Sequence, residues 1–304
     1  MKKNGLRLLR WGGTLLSSVL FLWLISRQDW RELGETVRQM DLWLLPLAAG
    51  LYFTAILFNT LRWFLLLRVQ NVSVRYLTLL QIVLSGNFAS NFLPSTVGGD
   101  TVRIAGIAQF TGWAIGLASV VVDRLLNVVA MATLLPFSWF TLHPLVGLSS
   151  GQAGMPLYGG VLPALRRRLA SGLGKIRGAL GLWGEQKVAL FLGIGISWLA
   201  RLSVFSGVWL LARGLGITVA LWQVIGVGAF TYLLSLVPVS INSLGLREVT
   251  MTALYVQLGA TLEQASALSV VTRAILMLET LPGALWVTRA LQVAKHAVVP
   301  DVEV

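Results

Sequence analysis

Seven ionisable residues stand inside or directly beside long apolar stretches of this sequence. They are Asp100, Arg103, Asp123, Arg124, Arg247, Glu248 and Arg273. If those stretches cross a bilayer, each charge at the bilayer centre costs about 2.5–3.5 kcal/mol on insertion scales. The residues therefore cannot all face lipid, and we expect them to pair with one another or to line a watery cavity. Arginines in such a cavity suit a phosphate, because the planar guanidinium donates two parallel hydrogen bonds to its oxygens.

The alternative interpretation of these charges is purely structural. On this interpretation Asp123–Arg124 and Arg247–Glu248 are buried pairs that only hold helices together. The position of the whole set beside two interruptions of the apolar pattern favours a functional role.

The two interruptions have a common layout, "LPSTVGGDTVR" in the first half and "VPVSINSLGLRE" in the second. In each, an apolar stretch ends at a proline, small and hydroxylated residues follow, and an arginine stands nine residues after the proline. Segments interrupted by Gly or Pro at corresponding positions of two halves indicate the central site of a transporter. A helix that begins after each break would direct its N-terminal N–H groups at an anion.

Composition identifies the class of protein that must position these residues. Of the 304 residues, 56% are hydrophobic and 12% are charged, whereas soluble domains carry about 25% charged residues. We therefore predict an all-α polytopic membrane protein. The net charge of +12 fits the basic cytoplasmic loops of membrane proteins and does not indicate nucleic-acid binding. With no cysteine in the chain, disulfides, thiolate catalysis and Cys-based metal sites are excluded.

The apolar stretches predict seven or eight membrane elements. Six of them cover about residues 9–26, 42–67, 76–93, 188–212, 217–237 and 265–291. The stretch 113–142 is long for one span, so it is either tilted or broken. The stretch 249–258 is too short to cross a core of roughly 30 Å and suits a half-helix that enters and turns back. Arg62, Arg68 and Arg75 indicate a return to the cytoplasm at the end of the second span.

These elements divide the chain into a first membrane repeat (1–142), a basic connector (143–187) and a second membrane repeat (188–304). In the connector, leucines at helical spacing alternate with basic residues, which predicts an amphipathic helix on the cytoplasmic leaflet; an ordinary solvated loop is the alternative. No cleavage site follows the first apolar stretch, so we expect a retained helix with its N-terminus in the cytoplasm.

The same motifs carry a resemblance to a known family. "LPSTVGGDTVRIAGI", "ASVVVDRLLNVVAM" and "VPVSINSLGLREVTMTALYVQLGATLEQASALSVVTRAI" resemble the lysylphosphatidylglycerol synthase transmembrane-region family, the flippase-like module also found in bacterial multiple-peptide-resistance factors. The resemblance covers nearly the whole chain. It implies two inverted repeats, re-entrant helices that meet near mid-membrane, and a cavity that accepts a phospholipid head group.

Matched to that family, the loop-forming positions are Pro94, Gly98, Gly99, Pro238, Asn242 and Gly245, and the seven ionisable residues form the substrate site. Asp123 stands where many members have Glu, and Ser243 replaces a commoner Gly. The sequence ends at Val304, soon after the last span, so we expect no aminoacyltransferase domain and no lysyl transfer.

The sequence therefore predicts a flippase-like transporter of an anionic phospholipid or lipid-linked head group, in a bacterial or archaeal-type cell membrane. Two alternatives are an enzyme acting on a lipid phosphate or lipid-linked sugar, and a non-transporting lipid-binding partner of a glycosyltransferase. No P-loop, metal motif or nucleophile elbow is present, which favours a non-enzymatic role without a cofactor or metal. The expected partners are membrane lipids and not nucleic acid, and a homo-oligomer stays open.

Overall fold

The computed structural model describes residues 34–35, 38, 40–92, 96–148, 186–235 and 245–287, and its regular structure there is entirely helical. The helices are α1 (Leu44–Val69), α2 (Tyr76–Phe92), α3 (Thr96–Ala132), α4 (Leu135–Leu148), α5 (Lys187–Gly214), α6 (Leu221–Ser235), α7 (Leu246–Gln257) and α8 (Leu262–Thr280). A 3-10 turn, Leu281–Gly283, follows α8. The predicted first helix (9–26) and the amphipathic connector helix lie outside the described residues.

Four helical stretches are long and apolar enough to cross a membrane. They are Leu44–Val69, Gly98–His143, Lys187–Gly214 and Leu262–Val287, with the shorter apolar helix Leu221–Ser235 beside them. Their mean hydropathy of 1.4–1.9 suits the hydrocarbon core of a membrane. This confirms the prediction of an all-α polytopic membrane protein.

The long apolar stretch of the first half is broken and not simply tilted. Its helical span of 46 residues, Gly98–His143, far exceeds the roughly 20 residues that cross a bilayer. Helix α3 is kinked at Gly112, whose φ of 72° and ψ of 165° are not helical. A second interruption separates Ala132, the last residue of α3, from Leu135, the first of α4.

Helix α7 has the length expected of a half-crossing element. It contains 12 residues, which at 1.5 Å per residue cannot span a core of about 30 Å. It begins directly after Gly245, whose φ of 83° is a left-handed conformation that favours glycine. Gly245 therefore stands at the turn from which α7 starts.

The chain forms two compact units, each assembled from three separate segments. Unit 1 contains the described parts of 1–52, 131–171 and 202–275, and unit 2 those of 53–130, 172–201 and 276–304. The division into a first repeat, a connector and an inverted second repeat stays a prediction.

In unit 2, glycine allows helices α2 and α3 to approach closely. A Cβ atom on Gly99 would collide with the side chain of Ser90 and the carbonyl oxygen of Gly86. Small residues serve the same purpose where membrane helices pack backbone to backbone. The structure thus corrects one detail of the predicted first loop: Gly98 and Gly99 lie in the first turn of α3, and Gly99 acts in helix packing.

In unit 1, helices α4 and α6 pack through small and hydroxylated residues. The hydroxyl of Ser138 donates to the carbonyl oxygen of Gly226 at 2.7 Å. A Cβ atom on Gly226 would collide with Thr141 and the backbone of Phe137. Helix α6 also packs against the short helix α7.

Candidate functional site

The centre of the site is a buried carboxylate that receives two guanidinium groups. In unit 2, Arg62 of α1 donates from Nε to Oδ1 of Asp123 at 2.7 Å. Arg103, earlier on α3, donates from Nη2 to Oδ2 of the same carboxylate at 2.9 Å. The side chains of Asp123 and Arg62 are only 3% and 4% exposed. Both oxygens of Asp123 are thus engaged by charged donors, which are among the strongest hydrogen bonds in proteins.

From this centre, charges of alternating sign lead outward. Nη1 of Arg103 lies 4.0 Å from Oδ1 of Asp100, and the other Asp100 oxygen is bound by Nε of Arg124. Side-chain exposure rises from 13% at Arg103 and 14% at Asp100 to 48% at Arg124. We call the series Arg62–Asp123–Arg103–Asp100–Arg124 the ion-pair chain. It joins all four residues predicted from the first half of the sequence.

A buried tryptophan holds the central arginine of the ion-pair chain. The guanidinium carbon of Arg103 lies 4.3 Å from the ring centroid of Trp63, a cation–π contact that gains strength when it is desolvated. The indole Nε1 of Trp63 donates to the hydroxyl of Ser119 at 3.1 Å, which fixes the ring. A Cβ atom on Gly86 would lie 2.6 Å from Cγ of Arg103. The glycine therefore leaves room for the arginine stem.

Helix α5 completes the buried end with residues that the sequence analysis did not select. Nη1 of Arg62 donates to the hydroxyl of Ser197 at 2.7 Å. One turn further along α5, Nε of Arg201 donates to Oδ1 of Asn127 at 3.0 Å. Helix α5 is therefore linked to α3 directly through Arg201 and Asn127, and to Asp123 through Arg62.

The sequence prediction grouped Arg62 with Arg68 and Arg75 at the cytoplasmic end of the second span. Arg62 instead lies inside the protein. It is 3% exposed and ion-paired inside unit 2, whereas Arg68 is exposed. Its position could have indicated burial, because Arg62 lies seven residues before Val69, the last residue of α1. Arg201 had a clearer signal, because it lies near the middle of the apolar span Lys187–Gly214.

The three residues predicted from the second half come together in unit 1. Glu248 is 4% exposed, and its Oε2 accepts a hydrogen bond from the backbone N–H of Gly245 at 2.8 Å. Glu248 thus caps its own helix, and among the described residues it does not form the pair with Arg247 that the purely structural alternative supposed. The charges of Glu248 and Arg247 both act on Arg273. Nε and Nη2 of Arg273 are buried and have no hydrogen-bond partner in the described part of the chain.

The seven predicted residues thus form two groups, one in each unit. That both groups share one watery chamber stays a prediction. Three predicted loop residues, Pro94, Pro238 and Asn242, lie outside the described residues.

One further acid escaped the sequence analysis. Glu279 lies at the end of helix α8, and both of its carboxylate oxygens are buried beside the backbone of Phe53. The hydroxyl of its neighbour Thr280 accepts a hydrogen bond from Nδ2 of Asn91 at 2.8 Å. Glu279 could have been selected from the sequence, because it is an acid within the apolar span Leu262–Val287.

The chemistry available to the ion-pair chain is anion binding. Both of its carboxylates are engaged by arginine, and three guanidiniums face two carboxylates, so the series carries an excess of positive charge. Across the described residues, no three His, Cys, Asp or Glu side chains come together as metal ligands. The half-exposed Arg124 is the group that an incoming anion would meet first.

Comparison with known proteins gives one family. The family described as "Lysylphosphatidylglycerol synthase TM region" matches residues 10–283. Neither curated proteins nor solved structures gave a match. The matched region contains both groups of charged residues.

Proposed function

The chain belongs to the lysylphosphatidylglycerol synthase TM region family, and we propose that it is a flippase-like transporter that moves an anionic lipid head group across the membrane. The substrate class is a phospholipid or a lipid-linked head group that carries a phosphate. The observation that carries the proposal is the ion-pair chain, which runs from a buried carboxylate at Asp123 to a half-exposed guanidinium at Arg124.

The outer end of the ion-pair chain is suited to exchange one anion for another. Asp100 binds Arg124 but lies 4.0 Å from Arg103, which is longer than a hydrogen bond. A phosphate that replaces this carboxylate gains bidentate contacts with Arg124 and Arg103. Asp100 then acts as an internal counter-ion, which keeps the arginines paired when no lipid is bound.

The inner end of the ion-pair chain is suited to stay fixed. Asp123 accepts hydrogen bonds from Arg103 and Arg62, and Arg62 donates a further one to the hydroxyl of Ser197. Trp63 covers one face of the Arg103 guanidinium. Because these contacts already exist before a head group arrives, binding needs little reorganisation.

In this proposal Arg247 and Arg273 of unit 1 form a second anion-binding group. The buried nitrogens of Arg273 lack a partner among the described residues, so an incoming anion would supply the missing acceptors.

The protein would act in a bacterial or archaeal cell membrane, with the N-terminus in the cytoplasm and membrane lipids as partners.

The test is a lipid-scrambling assay in proteoliposomes that contain fluorescent phosphatidylglycerol, with dithionite to quench the outer leaflet. Arg103→Ala and Arg124→Gln should abolish or strongly reduce quenching beyond the outer-leaflet fraction. Arg247→Ala should do the same through the second group. The matched control is Arg68→Gln, which removes the same charge from an exposed position outside the ion-pair chain.

Two results would overturn the proposal. One is transport that is unchanged in both Arg103→Ala and Arg247→Ala while the proteins stay folded. The other is a change in the mass of the recovered lipid, which would show an enzyme acting on the lipid and not a transporter.

A further inference from the structure

Unit 1 contains a cleft that the ion-pair chain does not use. Helices α5, α6 and α7 enclose it, and most of its wall is apolar, including Val204, Val208, Val227 and Met251. Gly228 also lines it, opposite the ring of Phe205. The wall is therefore suited to hydrocarbon.

One end of the cleft carries a positive charge. Arg247 is the charged residue that lines it, and no ion pair joins Arg247 to any described residue. Arg247, Met251 and Tyr255 stand four residues apart on α7 and so lie along one face of that helix. The cleft thus has a cationic end, an apolar middle and a hydroxyl about 12 Å further along the helix.

Two hydroxyl groups in the wall have no acceptor. Oγ1 of Thr231 and Oη of Tyr255 are both buried and without a hydrogen-bond partner among the described residues. Tyr255 is fully buried and Thr231 is 5% exposed. A buried donor left unpaired is destabilising, so each hydroxyl would gain from a neutral acceptor such as an ester carbonyl.

We propose that this cleft binds the part of a glycerophospholipid next to its head group, with the phosphate at Arg247, the ester carbonyls at Thr231 and Tyr255, and the start of an acyl chain between the valines. The inference rests on the proposed function, since it concerns the same class of lipid. It adds that the protein holds part of the acyl chain, whereas transport of the head group alone would leave both chains in the bilayer.

The test uses phosphatidylglycerol that carries a diazirine on one acyl chain close to the ester, incorporated with full-length protein into vesicles of unlabelled phosphatidylglycerol and phosphatidylethanolamine. After illumination, mass spectrometry locates the labelled peptides. We expect the label on α6 and α7, at residues 221–235 and 246–257. Val204→Trp fills the cleft and should remove this label, whereas Leu202→Trp adds the same bulk at an exposed position of the same helix and should leave it unchanged.

A second variant separates binding from structure. Tyr255→Phe keeps the ring and removes a hydroxyl that makes no hydrogen bond to any described residue, so stability in lipid-free detergent should be unchanged or higher. Labelling should nevertheless fall about two- to tenfold, because one hydrogen bond to the lipid is lost. A purely structural role of Tyr255 would not produce this combination.

The possible outcomes separate this inference from the proposed function. Normal scrambling with label spread evenly over lipid-facing helices, and unaffected by Val204→Trp, refutes the cleft and leaves the transporter standing. Specific label in the cleft without scrambling supports the cleft as a lipid site and refutes transport. Label on α6 and α7 that is equally strong in Tyr255→Phe and Arg247→Gln also overturns the inference, since lipid would then be held without the polar contacts.

Discussion

Replacing Asp123 by asparagine should destabilise the protein more than any other single change in the ion-pair chain. The substitution keeps the shape of the side chain but removes the charge that Arg62 and Arg103 share at 2.7 and 2.9 Å. Two guanidiniums would then be left in a site where the Asp123 side chain is 3% exposed. Removing one partner of a buried ion pair costs about 3–5 kcal/mol, because the remaining charge stays buried without compensation.

The outer end of the ion-pair chain provides the comparison. Arg124→Gln breaks the contact with Asp100, but the Arg124 side chain is 48% exposed. Exposed ion pairs contribute about 0–1 kcal/mol. In a double-mutant cycle, Arg62→Met combined with Asp123→Asn should be less damaging than the sum of the single changes, by about 0.5–3 kcal/mol.

The measurement is the free energy of unfolding in mixed detergent micelles, titrated with a denaturing detergent and followed by the fluorescence of the 12 tryptophans. Reversibility is checked by dilution back into the native detergent. If Asp123→Asn and Arg124→Gln differ by less than about 1 kcal/mol, burial does not determine the contribution of these charges and the reasoning fails.

Three further changes test the packing around the site. Gly99→Ala should lower the free energy of unfolding by about 1–3 kcal/mol because of the tight contact between α2 and α3. Gly50→Ala is the control, because a Cβ atom there meets open space, and it should not lower the free energy of unfolding. Glu279→Gln should leave the melting temperature unchanged or higher, because it removes a buried carboxylate charge that has no ion pair among the described residues; a clear decrease would contradict this. Trp63→Phe should cost about 1 kcal/mol or more, because it removes the hydrogen bond to Ser119 and also leaves a cavity at a fully buried site; equal unfolding free energies would contradict this.

Much of the helical architecture was predictable, because apolar length alone predicts membrane helices. The stretches expected at 42–67, 76–93 and 188–212 correspond closely to helices α1, α2 and α5. Helix α8 begins earlier than its apolar stretch, because Thr261 and Gln264 form reciprocal hydrogen bonds at its N-terminus. That capping signal was present in the sequence.

Helix α6 shows where apolar pattern is not enough. The apolar stretch was expected to be helical from residue 217, but the helix begins at Leu221. Gly216 has a φ of 77°, and the carbonyl oxygen of Val219 accepts a hydrogen bond from the indole of Trp209 at 3.0 Å. This tertiary contact keeps the preceding residues out of the helix, and sequence alone does not reveal it.

Four members of the ion-pair chain could be selected from the sequence, but their ion-pair partners could not. Asp100, Arg103, Asp123 and Arg124 could be selected because charge inside an apolar stretch is costly. Which arginine would pair with Asp123 depends on how α1 packs against α3, and Arg62 is 61 residues away in sequence. The role of Glu248 could not be deduced either, since its backbone contact with Gly245 competes with a salt bridge.

The interleaved composition of the two units has a consequence for biosynthesis. Arg62 and Asp123 both emerge from the ribosome before Ser197 does, so their ion pair is available while later helices are still being made. Unit 2, however, also draws on the described parts of segments 172–201 and 276–304. It is therefore completed only after residue 276 has been made, and a ribosome that stalls within 202–275 leaves unit 1 with an unfinished third segment and unit 2 without its third segment.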